Sequence, residues 1–147
     1  MAEIRRLEER DREAWLTLRL ALWPREDPVE FEQDISGILA DLEMTPAFGA
    51  FDGEHLVGFA EAGERPYGDG CETAPVGWLE GIYVRPDCRR HGVGKALVAA
   101  VAAWAKSRGY AELGSDAALE KLVSQHSHAH WGFEETKRIV MFRKALK

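Results

Sequence analysis

The run Val76-Gly77-Trp78-Leu79-Glu80-Gly81-Ile82-Tyr83-Val84, separated by four residues from Arg89-Arg90-His91-Gly92-Val93-Gly94, decides how the rest of the 147-residue chain is read. Its first half is β-branched and aromatic and reads as a strand, broken by Gly81, where a bulge or the close approach of a ligand is expected. Its second half opens a helix in which Leu97, Val101, Trp104 and Ala105 share a face. Lys106 and Arg108 suit the C-terminal end of that helix, and Gly109 closes it. A strand that passes through Arg-x-x-Gly-x-Gly into a helix gathers unpaired N–H groups and a positive dipole end at one point, and such a point binds phosphate. Gly92 and Gly94 are expected to let the backbone come close to the anion, while Arg89, Arg90 and Lys95 add charge. The third Gly of a dinucleotide fingerprint and the Gly-Lys-Ser/Thr of a P-loop are both missing, so a different phosphate ligand is implied.

Upstream, Glu3–Leu7 reads as a short strand, and Asp11 as the cap of a helix with Trp15, Leu18 and Leu22 on one face, ended by Pro24. A second helix follows Pro28, with Phe31, Ile35, Ile38, Leu39 and Leu42, and stops before Pro46. Ala47–Phe51 and His55–Glu61 flank Asp52-Gly53 and form a hairpin. The Gly-rich, acidic stretch Gly63–Thr73 is too polar for core and reads as a substrate-facing flap. Downstream, Ala111–Ser115 is a short strand, Leu119–Trp131 a helix, and Thr136–Leu146 a final strand carrying Ile139, Val140, Met141 and Phe142.

Composition bounds the function. With 46% hydrophobic and 30% charged residues, the chain is expected to fold as one domain, residues 1–147, and to bury about two-thirds of its unfolded surface. A net charge of −6 gives no support to a nucleic-acid partner and favours a cationic ligand. No apolar stretch follows the charges of Met1–Arg6, and no run approaches a bilayer's thickness, so a cytoplasmic protein without a membrane partner is expected. Cys71 and Cys88 form no Cys-x-x-Cys pair and read as free thiols. His126 and His130 stand at i and i+4 but lack the Glu of His-Glu-x-x-His and a third ligand, so no metal is expected.

Arg89-Arg90-His91-Gly92-Val93-Gly94, behind its bulged strand, resembles the acetyl-CoA motif of the GNAT superfamily of N-acetyltransferases. The order of elements matches over most of the chain as far as Gly132-Phe133. A narrower resemblance, to the aminoglycoside 6'-N-acetyltransferases of bacterial antibiotic resistance, is carried by Trp15-x-x-Leu18-Arg19-x-x-Leu22-Trp23, Pro75–Val84, Ser115-Asp116-Ala117-Ala118-Leu119 and Gly132-Phe133-Glu134-Glu135-Thr136. The resemblance implies an α/β (α+β) fold with about four helices around a mixed, mostly antiparallel sheet containing a bulged, splayed strand pair. It also implies acetyl-CoA as cosubstrate, a homodimer with Ile139–Phe142 at the interface, and pantetheine pairing with the backbone of Ile82, Tyr83 and Val84. The anion turn then comprises Arg89, Arg90, His91, Gly92, Val93, Gly94 and Lys95.

Acetyl transfer from a thioester to an amine needs an unprotonated amine, an oxyanion donor and a proton for the departing thiolate. Glu80, a carboxylate within an apolar strand, is the candidate to hold the ammonium and accept its proton; a solvent-facing strand carboxylate is the plain alternative. A backbone N–H near Tyr83 or Val84 is the candidate oxyanion donor. Asp116 either fixes a second amino group or caps the following helix. Trp23 and Tyr67 match family positions that meet sugar rings, although core packing also accounts for Trp23. His128 lies where many members carry the Tyr that protonates the thiolate, and histidine can do that near neutral pH. Two residues depart from the pattern: Lys121 stands where an Asn bonds to the cofactor arm, and Lys137 where related enzymes carry an acidic substrate contact. The leading expectation is 6'-acetylation of an aminoglycoside by direct attack of the amine. A polyamine, amino-sugar or protein-amine acetyltransferase and a non-catalytic acyl-CoA sensor are the alternatives.

Overall fold

The computed structural model describes residues 2–147. Five strands, β1 (Glu3–Arg6), β2 (Ala47–Asp52), β3 (His55–Arg65), β4 (Val76–Val84) and β5 (Leu113–Gly114), lie side by side in chain order. Neighbours from β1 to β4 are antiparallel and β5 runs parallel to β4, which gives the mixed, mostly antiparallel sheet expected. Among the described residues four α-helices pack with it: α1 (Arg12–Leu22), α2 (Pro28–Ala40), α3 (Val93–Ser107) and α4 (Leu122–His130).

Strand alternation sends side chains to two cores. Phe48, Ala60 and Leu79 pack under Leu97, Val101 and Trp104 of α3, while Phe51 and Phe59 pack with Trp15 and Leu18 of α1 and Ile35 of α2. Burying Trp15, Phe59 and Ile35 completely stabilises the second core by about 1.5–3 kcal/mol each.

Local chemistry revises three expectations. The Asp11 carboxylate does not cap α1: it accepts the Glu8 N–H at 2.8 Å and a bidentate pair from Arg5, closing the 3₁₀ turn before the helix. The cap that forms is Asp27, whose side chain accepts from Val29 N, with Pro28 in the first turn of α2. Strand β3 runs on to Arg65, so the flap begins at Pro66 and not at Gly63. The strand expected over Thr136–Leu146 does not form: Val140, Met141, Phe142 and Leu146 are 72%, 87%, 91% and 87% exposed. Strand propensity needs an edge to pair with, and within the single chain this segment joins neither outer strand.

The bulge is displaced by one residue. Gly81 pairs with Glu61 and Leu79 with Ala62, which leaves Glu80 as the extra residue of β4. Gly81 is required for another reason: a Cβ there would lie 2.5 Å from Cη2 of Trp23. The close approach it permits is that of the chain's own indole.

Candidate active site

β4 and β5 pair only at Gly77 with Leu113 and Trp78 with Gly114, and then part. Beyond the bulge, Ile82, Tyr83 and Val84 pair with Ala60, Phe59 and Gly58 on one edge, and among the described residues no strand pairs with the other. That free edge offers backbone donors and acceptors to an extended ligand. It leads through Arg90 (φ +65°) and Gly92 (φ +80°), both left-handed, into α3. The first i to i−4 bond of the helix is Ala96 N to Gly92 O at 3.0 Å, so the amides of Val93, Gly94 and Lys95 lie ahead of it. The space where a Gly92 Cβ would stand is open. His91, Lys95 and Arg90 are exposed around it. Arg89 is bound back to the strand, donating from Nε to Val84 O at 2.7 Å with its guanidinium over Tyr83. Gly94 serves packing, because a Cβ there would stand 2.8 Å from the indole nitrogen of Trp131. The open turn, its free amides and the unpaired edge beside it fit a pyrophosphate joined to an extended arm.

At the other end of this edge sits Glu80. Its carboxylate receives a bidentate pair from Arg65, Nη2 to Oε1 at 2.7 Å and Nε to Oε2 at 3.2 Å, and the Arg65 guanidinium lies 4.2 Å from the centroid of Trp78. Hydrogen bonding to Glu80 holds the Arg65 pKa above its ordinary value, despite burial, with smaller support from Glu80 and Asp116 charges. Glu80 and Asp116 therefore share the field of one cation. Glu80 also borders a cavity of 540 Å³ between α2 and β3, lined by Asp34, Glu61, Glu64, Ile38, Met44 and Arg19, the last paired with Glu61 and Asp34. Trp23 is half-buried, edge-on to Phe31 and Phe59, and reaches the bulge through Gly81. It thus packs and borders the site at once. Tyr67 is 68% exposed on the flap.

His128 on α4 is brought to the seam between β4 and β5. Its Nε2 lies 2.7 Å from Ser115 Oγ and its Nδ1 2.7 Å from Ser124 O, with Trp131 and Phe133 against the ring. Asp116, next to Ser115, is exposed and makes no side-chain cap bond to α4, whose N-cap is the exposed Lys121. Lys137 is turned to the flap, with Nζ 3.4 Å from Asp69 Oδ1. Cys71 and Cys88 are free thiols with pKa values raised, first by burial and then by Glu112 and Asp87 respectively, which makes neither a nucleophile.

A buried pair not foreseen from the sequence lies beneath the bulge. Arg19 bonds both oxygens of Glu61 at 2.7 Å, Trp15 Nε1 donates to Glu61 Oε2 at 2.8 Å, and Arg19 also reaches Asp34. Burial opposes the Arg19 charge, but the two carboxylates outweigh it and raise the pKa. Because Glu61 pairs with Gly81 in the ladder, this network ties α1 and α2 to the bulge. Arg65 and Ser115 were also unforeseen as site residues. The signal for these is that Trp15 and Arg19 fall within one, and Ser115 within another, of the four motif stretches quoted above.

The geometry is matched by known proteins. The profile of the Acetyltransferase (GNAT) family matches residues 2–133. The chain belongs to this family. An aminoglycoside N(6')-acetyltransferase type 1 from Stenotrophomonas maltophilia is 46% identical over 147 residues, 98% of this chain and 94% of the relative. One from Serratia marcescens is 46% identical over 137 residues, 91% and 92% of the two chains. Among solved structures, aminoglycoside N-acetyltransferase AAC(6')-Iy in complex with a bisubstrate analogue, CoA-S-monomethyl-acetylneamine, superposes with a TM-score of 0.93 at 37% identity, covering 99% of each chain. The same protein in complex with CoA gives a TM-score of 0.93 over 99% of this chain and 96% of that one. In this GNAT chain, the splayed β4–β5 seam, the open turn before α3 and the bulge at Glu80 occur together. Among its described residues no helix is long and apolar enough to cross a membrane, and no group of His, Cys, Asp and Glu is placed to hold a metal ion.

Proposed function

We propose that the chain works as one catalytic domain, cytoplasmic and homodimeric, that transfers acetyl from acetyl-CoA to the 6'-amine of aminoglycosides and so confers resistance. The observation that carries the reading is Glu80, the unpaired residue of the β4 bulge, already holding a cation at the mouth of an acid-lined cavity. An aminoglycoside ammonium takes the place of Arg65 beside that carboxylate. Relatives 46% identical over nearly the whole chain and named for this acceptor support the choice of amine.

The turn Arg89–Lys95 binds the pyrophosphate through the free amides of Val93, Gly94 and Lys95, with charge from Arg90 and Lys95 and with His91 beside them. Ile82, Tyr83 and Val84 pair with the pantetheine arm, and a backbone N–H at Tyr83 or Val84 stabilises the oxyanion. Lys121, beside α4, donates to the cofactor arm. Glu80 binds the ammonium and takes its proton through water; the free amine then attacks the thioester without a covalent enzyme intermediate. Asp116 receives a second ammonium, and Trp23 and Tyr67 meet the sugar rings. Lys137 borders the acceptor and, being bound to Asp69, reduces the negative charge there. His128 supplies the proton for the departing thiolate.

The cationic acceptor agrees with the net charge of −6, and the exposed apolar segment Ile139–Phe142 supports the dimer. Release of free thiol from acetyl-CoA is the test, with kanamycin, with other amines and with none. Turnover with kanamycin is expected. Turnover only with other amines replaces the acceptor, and silence with every amine leaves an acyl-CoA sensor.

A further inference from the structure

The ring of His128 has no nitrogen to spare. A carbonyl oxygen only accepts, so the 2.7 Å contact with Ser124 O fixes a proton on Nδ1. In the neutral ring Nε2 is then an acceptor, and its partner at 2.7 Å is the hydroxyl of Ser115. The same hydroxyl lies 3.4 Å from Leu79 O across the seam. When the ring gains a proton, Nε2–H donates to Ser115 Oγ and the hydroxyl hydrogen turns outward. Nδ1 stays bonded to Ser124 O in both states, and the flanking rings of Trp131 and Phe133, with centroids 5.2 Å away, hold the imidazole plane. The pair stores a proton without losing a hydrogen bond, but the ring can hand it to a third atom only through Ser115.

The place of Ser115 gives that arrangement a use. It is the first residue beyond the last β4–β5 pair, Trp78 with Gly114, at the apex where the strands part. Leu79, facing it, immediately precedes Glu80. An arm lying along Ile82–Val84 brings its reactive end to this apex, with Glu80 on one strand and Ser115 on the other. We propose that Ser115 is the catalytic residue that protonates the leaving sulfur, and that His128 is the proton reserve behind it. The inference deepens the proposed function and rests on its thioester donor. As the tetrahedral intermediate collapses, the C–S electron pair leaves on sulfur. Sulfur takes the hydroxyl proton of Ser115, Oγ takes the Nε2 proton of the imidazolium, and His128 ends neutral until water restores its proton. The ammonium gives its first proton through water to Glu80 before attack, and the nitrogen of the tetrahedral intermediate gives its second to bulk water as the C–S bond breaks, so the exchange balances with no other reactant.

The experiment is single-turnover thiol release, which product release cannot mask, in wild type, Ser115→Ala, Ser115→Thr, His128→Gln and the double variant Ser115→Ala/His128→Gln. Ser115→Ala is expected to slow release about 100-fold, the scale of a lost general acid, with acetyl-CoA affinity and acceptor KM unchanged. Ser115→Thr restores the hydroxyl and recovers most of the rate. His128→Gln falls as far as Ser115→Ala, and the double variant no further, because the two act in series. Wild-type release in Ser115→Ala, a loss confined to KM, or multiplicative losses in the double variant each overturn the proposal. If Ser115→Ala fails to fold, Ser115→Thr and His128→Gln decide. The ¹⁵N shifts of His128 test the geometry without turnover: Nδ1 protonated and Nε2 hydrogen-bonded are expected, and the opposite tautomer overturns the relay. The wild-type arms with different amines read the acceptor separately. The variants are compared with whichever amine is used, on the same coenzyme A leaving group, and a wild type silent with every amine overturns both readings.

Discussion

Gly81 and Glu80 stand side by side and fail differently when changed. Gly81→Ala places a methyl group 2.5 Å from Trp23 Cη2, so the indole must leave its seat against Phe31 and Phe59. Overpacking of this kind costs about 1–3 kcal/mol. The expected outcome is a lower midpoint of urea unfolding and a raised acceptor KM, with acetyl-CoA affinity unchanged. Glu80→Gln keeps the shape and removes the charge: kcat should drop about 100-fold, and near-normal turnover would dismiss the base. Its effect on stability should stay below about 1 kcal/mol, since the Arg65 and Glu80 side chains are 39% and 40% exposed. Glu80 was legible in the sequence because a carboxylate interrupts an apolar run. Its partner Arg65 was not, because it comes from what reads as loop and reaches Glu80 only through the register of β3 on β4. Ser115 was unreadable for a similar reason: only the early parting of β5 from β4 exposes its hydroxyl at the seam.

Among the elements, the hairpin, the central strand and α3 were legible, each having a local cause in Asp52-Gly53, the β-branched run or the helical apolar face. What was not legible depended on partners distant in sequence. The bulge moves to Glu80 because the pairing of β3 fixes it there, and Asp11 is drawn from capping α1 by Arg5. The flap is anchored by a remote residue as well. Glu112 Oε1 accepts from Glu72 N at 2.9 Å, Thr73 N at 2.7 Å and Thr73 Oγ1 at 2.5 Å. These bonds, the Thr73 hydroxyl first, hold the Glu112 pKa below its ordinary 4.5. A depressed folded-state pKa stabilises the closed loop fully above the unfolded value and loses that contribution as pH falls through the folded one. Chemical shifts and amide exchange at Glu72 and Thr73 should therefore report release of the flap below pH 4.5, with α3 still protected. Glu112→Ala should release it at every pH, and a flap unchanged in that variant would remove Glu112 as the anchor.

For the whole molecule the open question is what covers Ile139–Phe142. The apolar, β-prone run there reads as a strand, yet the single chain leaves Val140, Met141 and Phe142 at 72%, 87% and 91% exposure, and the last strand of the sheet, β5, pairs on one side only. An exposed apolar segment and an open edge are both liabilities that a second copy would remove, each copy lending its segment to the other. Such an exchange is isologous, so a change at one position counts twice. Phe142→Ala should lose about 2 kcal/mol of apolar burial per copy, about 4 kcal/mol per dimer, and weaken association about 1,000-fold. Sedimentation or light scattering against concentration reads this directly: wild type should run at twice the chain's 16.5 kDa and Phe142→Ala should dissociate within the micromolar range. Circular dichroism should remain unchanged in the variant, because Phe142 contributes nothing to either core of the single chain. A wild type that stays at 16.5 kDa at every concentration refutes the dimer.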